Sequence, residues 1–440
     1  MTRLATLALS AVLFAVAASA QDTARMDQVI QSHVSAGTFM GTVLVARDGA
    51  AIVDKAYGMA NVEWDVPNTT ATKFRLGSVT KQFTAAAILL LEERGKLKID
   101  DRVKSHLPDS PMAWDRINIY NLLTHTAGIP NFTASPDYNT IKLTARSAEA
   151  AVTSFRDRTL DFGPGEKMSY SNSGYMVLGA IIEKVSGQTY EKFVADNLFA
   201  PAGMTDSGYD SNTAIIKRRA SGYVRTPAGF SNAGYLHMSI PHAAGALYST
   251  THDLLKWQQA LFGGRIVSKA SLDRMITPFK NDYALGVTSA LVNGRRVIAH
   301  GGGIDGFNTH LAYYPDSRTV VVVLSNVNGT VPGTLAGQLG ALMHGESVML
   351  TSERKEITLP AATLQKFVGT YELAPNAVMT ITLEGGSLMG QLTGQGKLPL
   401  FPQSETLFFL KVVDAQIEFA ADGSSLVLHQ NGRSTKAARR

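Results

Sequence analysis

The strand-like segments of this chain sit at the two ends of a long helical stretch, and no other feature limits the fold as much. Residues 41–46 and 51–58 alternate or run apolar around Arg47-Asp48-Gly49-Ala50, a hairpin signal. Residues 285–291, 296–300, 308–314 and 319–325 read as four more strands, turned at Asn293-Gly294 and Pro315-Asp316. Between them, from Ser78 to about residue 280, the apolar period is mostly helical. Leu178, Ile181, Ile182 and Val185 precede Gly187, and the segment from Asp253 to Trp257 follows a cap at Thr251. Helices are also expected at 24–36, where Met26, Ile30 and Val34 share a face, and near 335–343. Early and late strands flanking helices imply one antiparallel sheet that carries a large helical insertion, an α+β fold.

After residue 347 the texture changes. A polar linker over 348–356 leads into short strands at 379–383, 388–392, 407–410, 417–419 and 426–428. Glu384-Gly385-Gly386, Asp422-Gly423 and Asn431-Gly432 separate them, as in a small all-β barrel spanning 357–440. No catalytic grouping lies in it, so a packing or lid role is expected.

Composition removes several classes of function. A hydrophobic share of 45% with 18% charged residues is that of a globular chain. The net charge of +5 is scattered, which gives no footprint for nucleic acid. Cysteine is absent, so disulfides, thiol nucleophiles and thiolate metal sites are excluded. Arg3, an apolar run over 4–16 and Ala18-Ser19-Ala20 form a signal peptide over 1–20. The main domain is then 21–347, exported to the periplasm or medium, with no later membrane-spanning segment.

Chemistry is concentrated in Gly77-Ser78-Val79-Thr80-Lys81, where an apolar run to Gly95 begins. Ser78 at the start of a buried helix sits where unpaired N–H groups favour developing negative charge. Lys81 lies one turn deeper, and burial lowers its pKa until it can accept a proton. That is a serine nucleophile with its base built in. The spacing alone is weak, since Ser352-Glu353-Arg354-Lys355 repeats it in a polar stretch. Two further motifs complete a site. In Tyr170-Ser171-Asn172 the phenol, partly ionised beside a lysine, moves a proton, and the Asn172 amide holds Lys81 and a substrate carbonyl. In His300-Gly301-Gly302-Gly303, at the end of a strand, the glycines admit a substrate backbone as an added strand. The N–H of Gly303 joins that of Ser78 as an oxyanion hole, and His300 bonds Tyr170 or an acidic substrate group. His125, in a Thr/Gly loop, reads as hydrogen-bonded structure. Gly301-x-Gly303-x-x-Gly306 leads into a strand and not a helix, which excludes a dinucleotide fingerprint. The histidines show no ligand spacing, so neither metal nor cofactor is expected.

Taken in order, Ser78-Val79-Thr80-Lys81, Tyr170-Ser171-Asn172 and His300-Gly301-Gly302 resemble the serine β-lactamase and penicillin-binding superfamily. The similarity runs over about 25–345 and is to the branch of class C β-lactamases, D-alanyl-D-alanine carboxypeptidases, D-aminopeptidases and esterases. The stretches from Leu122 to Pro130 and from Ala244 to Thr250 look like the family too, and the C-terminal barrel is similar to an extension some members carry. The resemblance implies that Ser78 attacks an acyl carbon, Lys81 and Tyr170 shuttle the proton, and water releases the acyl-enzyme. Small peptides, esters or β-lactams are the implied partners, with a D-peptide peptidase or carboxypeptidase first. Esterase, β-lactamase and a penicillin-binding sensor without turnover are the rivals. His300 stands where lactamases have Lys, and Gly301 where they have a Thr that helps bind a carboxylate, which weakens penicillin as preferred substrate.

Overall fold

The computed structural model describes residues 22–411, 413, 415–430 and 433–440. The expected signal peptide lies outside the described residues, as does the Asn431-Gly432 turn. The chain divides into two compact units, one ending at Met343 and the other running from His344 to Arg440.

The first unit is built on one antiparallel sheet. Its strands are β1 (Gly41–Arg47), β2 (Ala50–Tyr57), β3 (Thr288–Val292), β4 (Arg295–Ile304), β5 (Phe307–Tyr314) and β6 (Thr319–Ser325). They lie in the order β3-β4-β5-β6-β1-β2. β1 and β6 pair from Gly41↔Ser325 to Arg47↔Thr319, so the two ends of the unit meet at the sheet's centre. Both are near-continuous apolar runs because both of their faces are covered. Helix Val331–Met343 packs on β5 and β6, and helix Thr251–Phe262 on β1 and β6.

Two expected boundaries move. The strand expected from residue 285 begins at Thr288, because Gly286, at φ +72°, turns the chain just before it. The strand expected to stop at His300 runs through all three glycines to Ile304, paired with β5 as far as Ile304↔Phe307. Since β3 reaches only as far as Ala299, the other edge of β4 beyond that point is not covered by β3. The cap at 251 also moves by one: Thr250 accepts from the Asp253 N–H, and Thr251 is the first helical residue.

The helical insertion centres on helices Thr80–Glu93 and Asn172–Ser186, packed on each other and on the short helix His242–Gly245. Gly187, in the left-handed conformation, ends the second. A small sheet of Phe74–Arg75, Leu247–Ser249 and Gly208–Tyr209, too short to read from sequence, ties the approach to Ser78 into this body.

The second unit is a closed eight-stranded antiparallel barrel filled by Phe367, Tyr371, Phe408, Phe419, Leu388 and Leu426. Three of its strands escaped the sequence reading: Gly369–Ala374, Leu398–Pro402 and Arg433–Arg439. Prolines interrupt the second and polar residues dominate the third, which hides the alternation. Among the described residues no helix is long and apolar enough to cross a membrane.

Candidate active site

Ser78 lies in a one-turn 3-10 segment, Gly77–Val79, immediately before helix Thr80–Glu93. That turn is pressed against β4 so closely that side chains are excluded. A Cβ on Gly302 would come within 1.9 Å of the Leu76 carbonyl oxygen, and one on Gly77 within 2.9 Å of the Gly303 nitrogen. Thr309, next to Gly302 across the sheet, donates its hydroxyl to the same Leu76 carbonyl at 2.7 Å. Gly302 therefore serves the approach of strand to serine turn and is the glycine of the third motif that cannot change. Gly301 is different: a Cβ there meets only His310 and Thr309 atoms at ordinary contact distances.

Lys81 is fully buried. Its Nζ is 3.0 Å from Ser78 Oγ, 2.8 Å from Asn172 Oδ1 and 2.8 Å from the Ala244 carbonyl. Two of those partners only accept, so a neutral amine spends both N–H groups on them and turns its lone pair to the serine hydroxyl. Burial holds the lysine well below its ordinary pKa.

The polarity of the Asn172 amide is set by residues that sequence reading missed. Asn131 Oδ1 accepts from the backbone N–H of Asn172 at 3.1 Å and from the Thr133 hydroxyl at 3.0 Å. Thr133 Oγ1, its proton committed there, accepts from Asn172 Nδ2 at 3.1 Å, which leaves Oδ1 facing Lys81. Ser173 reinforces the clamp, donating to the Pro130 carbonyl at 2.6 Å and accepting from the Phe132 N–H at 2.9 Å. The only advance signal for this network was that 122–130 looked like the family.

Tyr170 hydrogen-bonds Ser78, and its ring passes 4.8 Å from Lys81 Nζ. The residue is 37% exposed, so its ring forms part of the rim while its hydroxyl reaches inward. Burial raises the phenol pKa and the bond to Ser78 recovers only part of that, which is opposite to the expected partial ionisation. Tyr170 is thus a neutral donor and acceptor. His125 stacks on it with ring centres 4.2 Å apart and also meets Tyr175 and Tyr283. His125 Nδ1 accepts from the Ser171 N–H at 3.1 Å, so in the neutral ring Nε2 carries the proton. It is hydrogen-bonded structure, as expected, and it also backs the Tyr170 ring.

His300 is not bonded to Tyr170, whose ring centre is 6.2 Å away. Its Nδ1 faces the Gly301 carbonyl at 2.6 Å, which can only accept, so Nε2 is left to accept from the Tyr283 hydroxyl at 3.0 Å. Burial above all pushes its pKa down to about 3. A neutral imidazole with both nitrogens occupied offers no cation to a substrate.

Gly77, Ser78, Asn172, Thr133, Ala244 and Gly303 are among the residues lining a cavity of about 200 Å³. The structure thus gathers Ser78, Lys81, Tyr170 and Asn172 within contact distance, sets Gly303 on the same cavity wall, and keeps His300 behind. Among the described residues no group of three or more His, Cys, Asp or Glu is placed to hold a metal ion.

A serine hydroxyl 3.0 Å from a buried amine is an arrangement suited to a serine hydrolase, and comparison with known proteins gives the family. Residues 26–342 match the Beta-lactamase family, and residues 353–431 match a domain family of unknown function. The chain belongs to the β-lactamase family and is a serine hydrolase. It is 30% identical over 436 residues to penicillin-binding protein 4* of Bacillus subtilis, covering 91% of this chain and 95% of that one. D-amino acid amidase from Ochrobactrum anthropi superposes with a TM-score of 0.62 at 25% identity, over 70% of this chain and 92% of that one. An octameric penicillin-binding protein homologue from Pyrococcus abyssi shares the fold over 94% of this chain and 99% of its own, with a TM-score of 0.68 at 24% identity.

Proposed function

We propose that this protein is an exported hydrolase that cleaves an amide or ester bond through an acyl-enzyme on Ser78, with peptidase-like action on D-amino-acid peptides or amides. The observation that carries the reading is the partner set of Lys81: two obligate acceptors and the serine hydroxyl, around a desolvated amine. Lys81 Nζ takes the Ser78 proton as Oγ bonds the acyl carbon, and the Ser78 and Gly303 N–H groups receive the oxyanion. The proton returns through Lys81 and Tyr170 to the leaving amine or alkoxide. Water, deprotonated by the same pair, then frees the acid and restores Ser78. Asn172 holds Lys81 in its neutral, aimed state, and His300 with Tyr283 supports the strand beside it. The edge of β4 from Gly301 to Gly303, beyond the end of its pairing with β3, suits an extended peptide.

The amidase neighbour, with the poor provision for a β-lactam carboxylate at Gly301 and His300, favours peptidase over lactamase. Esterase action uses the same steps with an easier leaving group. The export assignment rests on the sequence of residues 1–20. A substrate panel of D- and L-amino-acid anilides, D-Ala-D-Ala peptides, short nitrophenyl esters and nitrocefin tests the reading. Turnover of D-anilides over L-anilides, lost in Ser78→Ala, is expected. Turnover persisting in Ser78→Ala would overturn the nucleophile, and preference for nitrocefin would overturn the peptidase assignment.

A further inference from the structure

A second cavity, of about 300 Å³, adjoins the one holding Ser78, and Leu236 and Asp305 line both. Arg75 and Arg219 are on its wall. They share one carboxylate, that of the fully buried Asp210: Arg75 Nε meets Oδ2 at 2.5 Å and Arg219 Nη1 meets Oδ1. One carboxylate between two guanidiniums leaves a positive charge in excess. The acid on the wall, Asp305, is answered by Lys142 at 2.7 Å. Arg75 packs 5.7 Å from the centre of the Phe307 ring. Among the described residues its two terminal nitrogens donate to no protein group, because Nε alone is spent on Asp210. Such a fork matches a carboxylate in a two-point contact. Arg75 is three residues before Ser78, so the two Cα atoms are at most about 11 Å apart.

We propose that this cavity is a subsite for a carboxylate carried by the substrate, with Arg75 as its fork and Arg219 as the second charge. This rests on Ser78 being the nucleophile and narrows the substrate class to acids: peptides, amides or esters with a free carboxylate a few bonds from the scissile carbonyl. It supplies the cation that the neutral, fully occupied His300 does not.

The test compares kcat/KM for two nitrophenyl esters of equal chain length, the adipate half-ester and the hexanoate ester, net of the uncatalysed rate. The acidic ester is expected to be preferred by at least about tenfold, as for a charge-assisted pair. Arg75→Lys, which keeps the charge and loses the fork, and Arg219→Gln should both reduce that ratio. A ratio at or below one in the native protein, or one unmoved by both substitutions, overturns the proposal. Calorimetry of adipate binding to the Ser78→Ala protein reads the subsite without catalysis. Binding that is weakened by adding Arg75→Lys supports the proposal, and no detectable binding overturns it. Hexanoate turnover surviving in Ser78→Ala would instead sink the nucleophile and leave the binding result standing.

Discussion

Replacing Asn172 by Asp puts a carboxylate where a carbonyl now sits, 2.8 Å from Lys81 Nζ, with almost no change of shape. The neighbours accommodate it: Thr133 can turn its hydroxyl to the new oxygen, while Asn131 Oδ1 keeps the Asn172 N–H. The change is therefore mainly one of charge. Opposite charges 4 Å apart at the effective dielectric of a protein attract by about 4 kcal/mol. At about 1.4 kcal/mol per decade, that lowers the neutral fraction of Lys81 on the order of a thousandfold at a fixed pH. A base must be neutral to act, so the acid limb of the kcat/KM profile should move upward in pH and activity at neutral pH should collapse. Asn172→Ala is the control: it removes one acceptor but adds no charge, and should cost far less, on the order of ten- to a hundredfold. The assay is nitrophenyl ester hydrolysis from pH 5 to 10 for native, Asp and Ala proteins. An Asp variant with the native acid limb, or one no slower than the Ala variant, would refute a neutral Lys81.

Lys81→Met should raise stability at neutral pH. The unfolded lysine keeps its proton to about pH 10.4, whereas the folded one, lowered by burial, releases it earlier. Across that window the unfolded chain binds more protons, so native stability climbs with pH and the advantage of Met shrinks toward pH 10, which urea unfolding at pH 7 and 10 will read. Gly302→Ala should abolish activity and lower Tm, since its methyl meets the Leu76 carbonyl at 1.9 Å. Gly301→Ala, in open contact, should change unfolding free energy by no more than about 0.5 kcal/mol.

What sequence could and could not show follows from the range of the interactions. The sheet was legible because β1 and β6 are buried on both faces and so read as apolar runs, though 41 and 325 are far apart in the chain. Ser78 and Lys81 were legible because one helical turn joins them. Asn131 and Thr133 were not, since only the folded chain brings them to Asn172, and polar residues in a Gly/Pro loop look like turn formers. Tyr283 was invisible for the same reason, and with it the occupation of His300. The end of β4 was misjudged because three glycines in a row signal a turn unless a second segment packs against the strand, as the Ser78 turn does at Gly302. Arg75 drew no notice because its excess charge exists only once Asp210 and Arg219 are placed beside it.

The proposed acylation of the Ser78 hydroxyl is weighed directly by intact-protein mass spectrometry after acid quench of a reaction with an activated ester. The native protein should gain the mass of one acyl group, mapped by peptide digestion to Ser78, with Ser78→Ala gaining none. An unmodified native protein that nonetheless turns over the ester, or an acyl group lodged on another residue, would contradict the account.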